Sequence, residues 1–540
     1  MRQHGRGVES VARILVTEPI DEAGLAILEE DHEVVRQTGC TPEDLLRLIP
    51  EFDALIVRSA TEVTAEVLRA GRRLAVVGRA GVGVNNIDVD AATAQGVVVV
   101  NVPDGNTIAA TEHTFAVLLA LARRIPDAVA SLRSGRWDRS AFVGTELRGK
   151  TLGVVGLGRI GQEVARRAQA FGMRVCGYDP FLPAERAEAM GIAFGTVDAV
   201  VAQSDVLTVH TPLTPQTRGM IGARELAALP RGALVLNCAR GGIIDETALF
   251  EALSSGHLGG AGMDVFEHEP ATENPLVRLP NVVATPHLGA STREAQEASA
   301  REVARYVRDV LAGNPVQTAV NLPALSERDW EVVQPLVPLG EVLGRLYVQA
   351  LDGRLGGVEV LAPDLPGRGG EWVTAAVLKG MLVGTVDDVV NLVNARSLAE
   401  GQGVSVTFSQ SRDAQPRSLR LRVTSNDGAR TVAGHVGGDG GLRVTDLDGL
   451  PIDIAPTPAM LFTRHQDRPG IIGRVGTVLG RAGVNIAAML VGRSAPRGAA
   501  LMVLSVDDPP TDAALRELRA LPDVEQIRAV QLPAALLTPS

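Results

Sequence analysis

Thr151-Leu-Gly-Val-Val-Gly-Leu-Gly-Arg-Ile-Gly161 carries a β-branched run, Thr151–Val155, straight into a turn with three spaced glycines. Gly156 permits a tight turn, Gly158 lets a pyrophosphate approach the backbone, and Gly161 lets the following helix lie close against the strand. The helical pattern 162–171 then presents unpaired N–H groups and a positive dipole end to phosphates. A second strand, 173–178, ends in Asp179, roughly 20 residues on, where a carboxylate grips ribose hydroxyls. Like-charge repulsion at Asp179 disfavours a 2′-phosphate. The stretch therefore predicts a dinucleotide-binding fold that takes NAD rather than NADP.

Outward from this turn, strand and helix patterns alternate to about residue 290, which implies parallel sheets with helices on both faces. Strands are expected at 13–17, 54–57, 74–77 and 97–101, followed by a helix at 114–124. A second unit begins at Lys150 with strands at 151–155, 173–178, 206–209, 234–236, 262–265 and 282–284. The first unit's glycine loop, Gly78-Arg-Ala-Gly81-Val-Gly83, lacks a third glycine in register and reads as the wall of a substrate pocket. A helix at 293–311 precedes the turn Gly313-Asn-Pro315. Beyond a linker at 321–323 the chain is Gly-rich with β-like runs and no recognisable chemistry, and reads as a scaffold. After a second linker, Pro456-Thr-Pro458, the order strand, helix, strand, strand, helix, strand predicts a small ferredoxin-like βαββαβ unit, with His465–Gly470 as its first turn.

The 540 residues are enough for about three or four domains. A formal net charge of −11 without a basic tract argues against nucleic acid as a partner. Lys150 and Lys379 are the only lysines, so arginines must bind anions. Three scattered cysteines, Cys40, Cys176 and Cys238, fit a reducing compartment without a disulfide framework, and no metal-ligand spacing occurs. The polar start, 1–12, is expected to fray ahead of the first strand and lacks the apolar core of a secretion signal. No apolar stretch is long enough to span a bilayer. The expectation is a soluble cytoplasmic protein with no metal and no membrane contact.

Hydride transfer from a hydroxy acid needs a cation for the carboxylate, a base for the hydroxyl proton, and a group that tunes the base. Arg240 follows the strand 234–236 in a flexible turn, and a guanidinium holds a carboxylate through two parallel bonds. Glu269 follows the strand 262–265 and His287 follows 282–284. If these strands are neighbours, the two side chains face each other across one crevice. An ionised Glu beside a His orients the ring and stabilises imidazolium. His210, also at a strand end, lacks an acidic neighbour and is expected to line the cofactor cleft.

The motifs Gly78-Arg-Ala-Gly-Val-Gly83, Asn101-Val-Pro-Asp-Gly-Asn106, Gly156-Leu-Gly-Arg-Ile-Gly161, Asn237-Cys-Ala-Arg-Gly-Gly242, Ala261-Gly-Met-Asp-Val-Phe266 and Thr285-Pro-His-Leu-Gly289 resemble the D-isomer-specific 2-hydroxyacid dehydrogenase family over nearly the whole chain. The resemblance implies the same trio, Arg240, Glu269 and His287. It assigns cofactor contacts to Gly156, Gly158, Arg159, Ile160, Gly161, Asp179, Thr211, Cys238, Ala239, Asp264, Gly289 and Ala290. Substrate contacts fall on Arg58, Ser59, Arg79 and Asn106, with Arg139 lent to a neighbouring subunit. It further implies a substrate-binding domain at 11–104 and 292–322, an NAD-binding domain at 105–291, an intervening α+β domain at 323–455 and an ACT domain at 459–535. His465-Gln-Asp467-Arg-Pro-Gly470 and Gly483-Val-Asn485-Ile486 resemble the ACT signature, whose effector positions fall on His465, Asp467 and Asn485. The implied reaction is NAD-dependent oxidation of D-3-phosphoglycerate to 3-phosphohydroxypyruvate by a homo-oligomer (dimer or tetramer), with L-serine as effector. Asn85 departs from the family's usual Asp, and phosphate-binding lysines of some relatives are missing. Alternatives are reduction of another 2-oxo acid (hydroxypyruvate, glyoxylate or 2-oxoglutarate) and a non-catalytic NAD(H)-sensing protein.

Overall fold

A computed structural model describes residues 11–314, 316, 318–351, 355–386, 389–411, 414–425 and 428–537. The expected fraying of 1–10 and the Pro315 end of the turn lie outside these residues. Four sheets organise the chain. The first holds β1 (Arg13–Val16), β2 (Glu33–Arg36), β3 (Ala54–Val57), β4 (Val76–Arg79) and β5 (Val98–Val100) in the order β2-β1-β3-β4-β5. The second holds β6 (Thr151–Val155), β7 (Arg174–Tyr178), β8 (Ala193–Phe194), β9 (Val206–Val209), β10 (Leu234–Asn237), β11 (Gly260–Met263) and β12 (Val282–Ala284), in the order β12-β11-β10-β9-β6-β7-β8. Both sheets are parallel throughout. The interior strands β3, β6 and β9 are buried along their whole length, as strands covered on both faces must be. Strand order reverses between β6 and β9, so a crevice opens beyond their carboxyl ends.

Two helical crossovers join these sheets. Helix Thr107–Ala122 leaves the first and packs Val117, Leu118 and Leu121 into the core of Leu152 and Val154. Helix Arg293–Leu311 returns and packs Val303 and Val307 against Ile56 and Val76. The crossovers touch, since a Cβ at Gly105 would overlap the Ser299 hydroxyl. The outgoing helix spans Thr107–Ala122 rather than 114–124: Arg124 adopts a left-handed φ of 51° and a separate helix, Ile125–Arg133, begins. The short polar edge strand β2 was not foreseen, because Glu33-Val-Val-Arg36 carries too little apolar alternation to signal a strand.

The third sheet, β13 (Gly357–Ala362), β14 (Ser405–Gln410), β15 (Ser418–Ser425), β16 (Gly428–Val436), β17 (Leu442–Leu447) and β18 (Leu450–Ile454), is antiparallel except for the β13–β14 pair. Helices Leu336–Ala350 and Gly369–Leu382 share a core with it. A loop of this unit reaches the first, where Asn391 Nδ2 donates to the Gly96 carbonyl, and the Trp372 indole donates to the Pro323 carbonyl of the linker at 2.7 Å. The fourth sheet, β19 (Ala459–Gln466), β20 (Ile486–Arg493), β21 (Ala499–Val506) and β22 (Val524–Gln531), has the order β20-β21-β19-β22. It is antiparallel and matches the expected βαββαβ order. His465 belongs to β19, however, not to the turn after it.

Candidate active site

The carboxyl ends of β11 and β12, hydrogen-bonded neighbours, bring Glu269 and His287 together: Glu269 Oε2 lies 2.9 Å from His287 Nδ1. The other carboxylate oxygen accepts the Phe266 N–H at 3.1 Å, which fixes its aim. With Nδ1 so engaged, Nε2 is the ring nitrogen left to face a ligand. Both side chains are partly exposed, at 38% and 49%, so the pair opens onto the crevice. His287 adopts a left-handed φ of 56°, and its N–H donates to the Asp264 carbonyl at 2.9 Å.

Asp264, one residue past β11 and 1% exposed, anchors that turn. Its carboxylate accepts the Leu288 and Gly289 N–H groups at 2.7 and 2.9 Å and the Thr285 hydroxyl at 2.6 Å. His113 Nε2, from the outgoing helix, lies 3.1 Å away. Burial pushes the Asp264 carboxyl up, but bonds from His113, Thr285 and Leu288 hold it below the ordinary value. Nothing in the sequence around His113 links it to a carboxylate so far along the chain.

Arg240 lies against the first unit's glycine loop, where a Cβ at Gly83 would stand 2.7 Å from its Nη2. Its Nη1 donates to the Ala239 carbonyl at 2.6 Å. Burial draws its guanidinium below the ordinary value, and Glu269 opposes that shift. Arg79 is drawn down to about 10 by burial, then by Arg240, with Glu18 opposing and Arg58 adding. Guanidinium groups from the residue after β3 (Arg58), the end of β4 (Arg79) and the turn after β10 (Arg240) thus act on one another. Glu18, not anticipated, shapes it: its carboxylate accepts the N–H groups of Arg58, Ala60 and Thr61 at 2.8, 3.0 and 2.9 Å. Asn86 bridges Arg79 Nε (3.2 Å) to the Arg58 carbonyl (2.9 Å). Ser59 is exposed, and the side-chain oxygen of Asn106, Oδ1, is buried without a partner.

Gly156 has φ 96°, and a Cβ there would stand 2.7 Å from the His210 backbone. A Cβ at Gly161 would overlap the Gly156 carbonyl, whereas one at Gly158 would meet nothing within 4 Å, leaving a cradle. Leu157 N–H donates to Asp179 Oδ2 at 2.8 Å, so the acidic residue beyond β7 lies beside the turn. His210 Nδ1 and Thr211 Oγ1 are buried without partners at this end of the sheet. Desolvation lowers His210 to about 4, keeping it a neutral imidazole. Ile160 packs on the core beneath. Cys238 is buried and its thiol is pushed up to about 12 by desolvation and Asp264, with Thr114 opposing, so it stays protonated. Ala239 donates its N–H to Asn237, and Ala290 accepts from Thr292 across the turn after Gly289. These residues fit a dinucleotide.

Other expected residues lie apart. Arg139 is exposed before the turn Ser140–Phe142, and no described bond joins it to Arg58, Arg79 or Arg240. In the fourth unit, Asp467 pairs with Arg493 at 3.0 Å and accepts the Arg497 N–H, while Asn485 donates to Asp507 at 2.7 Å. His465 is 1% exposed, its Nδ1 lies 2.9 Å from the Gln466 carbonyl, and its Nε2 is buried without a partner.

Residues 115–289 match the family profile described as D-isomer specific 2-hydroxyacid dehydrogenase, NAD binding domain. Residues 332–448 match the D-3-phosphoglycerate dehydrogenase intervening domain, and 459–523 match the ACT domain. The D-3-phosphoglycerate dehydrogenase of Synechocystis is 44% identical over 97% of this chain and 95% of its own. That of Methanocaldococcus jannaschii is 42% identical over 97% and 100%. Among solved structures, the TT0316 protein of Thermus thermophilus is 38% identical with a TM-score of 0.53, covering 57% of this chain and 99% of its own.

Proposed function

This chain belongs to the D-3-phosphoglycerate dehydrogenase family, and from that premise we propose that it oxidises D-3-phosphoglycerate to 3-phosphohydroxypyruvate with NAD, the first step of L-serine synthesis. The observation that carries the substrate is the convergence of Arg58, Arg79 and Arg240 beside the Glu269–His287 pair. A phosphorylated hydroxy acid brings a phosphate and a carboxylate, and only several cations offset that charge. Arg240, nearest the pair, holds the carboxylate, while Arg58 and Arg79 face the phosphate end.

When bound, NAD would supply the acceptor for the hydride that leaves C2 of the substrate. Gly158 and the N-terminus of helix Arg159–Ala170 would hold its phosphates, and Asp179 would hold the ribose. His287 Nε2 takes the C2 hydroxyl proton. Glu269 keeps the ring in the tautomer with Nδ1 protonated and offsets the positive charge that the ring gains. Asp264 holds the turn that aims the ring.

The reading extends to a homo-oligomer and an effector. Helix Ile125–Arg133 leaves Ile125, Val129 and Leu132 exposed at 48%, 41% and 58%, with Trp137 at 80% beyond it, an apolar face suited to a second copy. Arg139 follows Trp137 and would reach the partner's site. L-serine would bind between paired ACT domains through His465, Asp467 and Asn485, and the buried, unpartnered His465 Nε2 supports this. Among the described residues no helix is long and apolar enough to cross a membrane. Substrate competition tests the reading: kcat/KM for D-3-phosphoglycerate is expected to exceed that for unphosphorylated 2-hydroxy acids, and Arg79→Gln to erase most of the difference. Equal kcat/KM values would point to reduction of another 2-oxo acid.

A further inference from the structure

Arg159, the first helical residue after the open Gly158 cradle, is paired within the protein: its Nε lies 2.5 Å from Asp104 Oδ1. Asp104 stands in the outgoing crossover, immediately before Gly105, which packs against Ser299 of the returning helix. The pair therefore ties the crossover between the two parallel sheets, which would serve as their hinge, to the phosphate cradle. Both side chains are open to the crevice, at 62% and 57% exposure, so another anion can reach the guanidinium.

We propose that Asp104 is a built-in competitor for the cofactor's pyrophosphate, occupying Arg159 in the free protein and surrendering it on binding, so that cofactor affinity is set partly by the hinge. The inference rests on the NAD reading. Arg159 cannot pair fully with the Asp104 carboxylate and a phosphate together, because both anions seek the same donors and repel each other. The surroundings of Asp104 add a consequence. Glu302, on the returning helix, is pushed up by burial and by Asp104, with Arg305 opposing. When Arg159 turns to a phosphate, Asp104 is left facing Glu302 with one counter-charge fewer, which loads the hinge with repulsion. Cofactor occupancy and the relation of the two sheets are thereby coupled through one exchanged ion pair.

The sign of the effect separates this role from a structural one. Asp104→Asn is isosteric and exposed, so the fold tolerates it. NADH binding, followed by fluorescence at low salt, is expected to tighten about two- to fivefold, the range set by exposed ion pairs. The gain should fade at about 1 M salt, where such pairs are screened. It should also be absent in an Arg159→Gln background, which binds NADH more weakly. Unchanged or weaker binding by Asp104→Asn would overturn the proposal. So would an equal gain in the Arg159→Gln background, which would mark simple long-range repulsion. If the unsubstituted chain failed to bind NADH at all, the cofactor reading itself would fall, and this inference with it.

Discussion

Arg79 illustrates what a binding residue costs the free protein. Burial and Arg240 bring its guanidinium down to about 10, against Glu18. The folded value lies below the unfolded one, so the ligand-free fold is penalised while Arg79 is charged, and the penalty lifts as pH rises past about 10. An anion paired with Arg79 lifts it at neutral pH, so phosphate should raise Tm, and Arg79→Gln should shrink that rise. Arg79→Gln should also raise KM for the anionic substrate several-fold, and an unchanged KM would remove Arg79 from the site. His113 offers a second test at this scale. His113→Leu takes one of several partners from the buried Asp264 carboxylate, costing about 1.5–3 kcal/mol, the usual worth of a hydrogen bond to a charged group, and lowers kcat with little change in substrate KM. His113→Gln, which retains a donor, should recover most of both. Arg240, Glu269 and His287 were legible as singular residues at strand ends. His113 and Glu18 were not, because each acts on a segment distant in sequence and no local pattern marks the meeting.

Elements were legible where periodicity and glycine spacing are strong. The turn from β6 into helix Arg159–Ala170 is one such place, and its glycines make opposite predictions. Gly158→Ala should melt with the parent yet bind NADH more weakly, since its Cβ meets nothing but the cradle. Gly161→Ala should lose about 1–3 kcal/mol by overpacking, because its Cβ would overlap the Gly156 carbonyl. Melting curves beside NADH titrations separate the two, and a destabilised Gly158→Ala would contradict the cradle. The intervening region was read only as scaffold because its helices lean on charges as well as apolar faces. Glu341, side chain 5% exposed, holds Arg345 at 2.8 Å and Lys379 at 2.7 Å between helices Leu336–Ala350 and Gly369–Leu382. Glu341→Ala should destabilise this unit by about 3 kcal/mol in denaturant unfolding. The wrong start of the outgoing helix has a simple source: Thr107-Ile-Ala-Ala-Thr111 is weakly patterned, and the Asn106 side chain makes no capping bond.

Across the whole molecule, contacts between units join the ACT domain, through the third unit, to the first. The Gln349 amide pairs with both backbone groups of Gln531 on β22, at 2.8 and 3.1 Å. Met460, Phe462, Leu501, Val503 and Val530 of the fourth unit lie in one core with the helices of the third. Asn391 in turn grips Gly96 beside β5. The order of units was legible from linkers and turn residues, whereas this docking was not, since it depends on amides and apolar side chains that look ordinary one at a time. In the proposed reaction His287, aimed by Glu269 and Asp264, is the base of an NAD-dependent oxidation of D-3-phosphoglycerate. The most direct measurement is NADH formation from D-3-phosphoglycerate and NAD, with the keto product trapped, by the parent and by His287→Ala. We predict turnover by the parent and a loss of about 10²–10⁴ in kcat in the variant, with NADH affinity nearly intact. A variant that turns over like the parent, or a parent inert toward this substrate, would contradict the account.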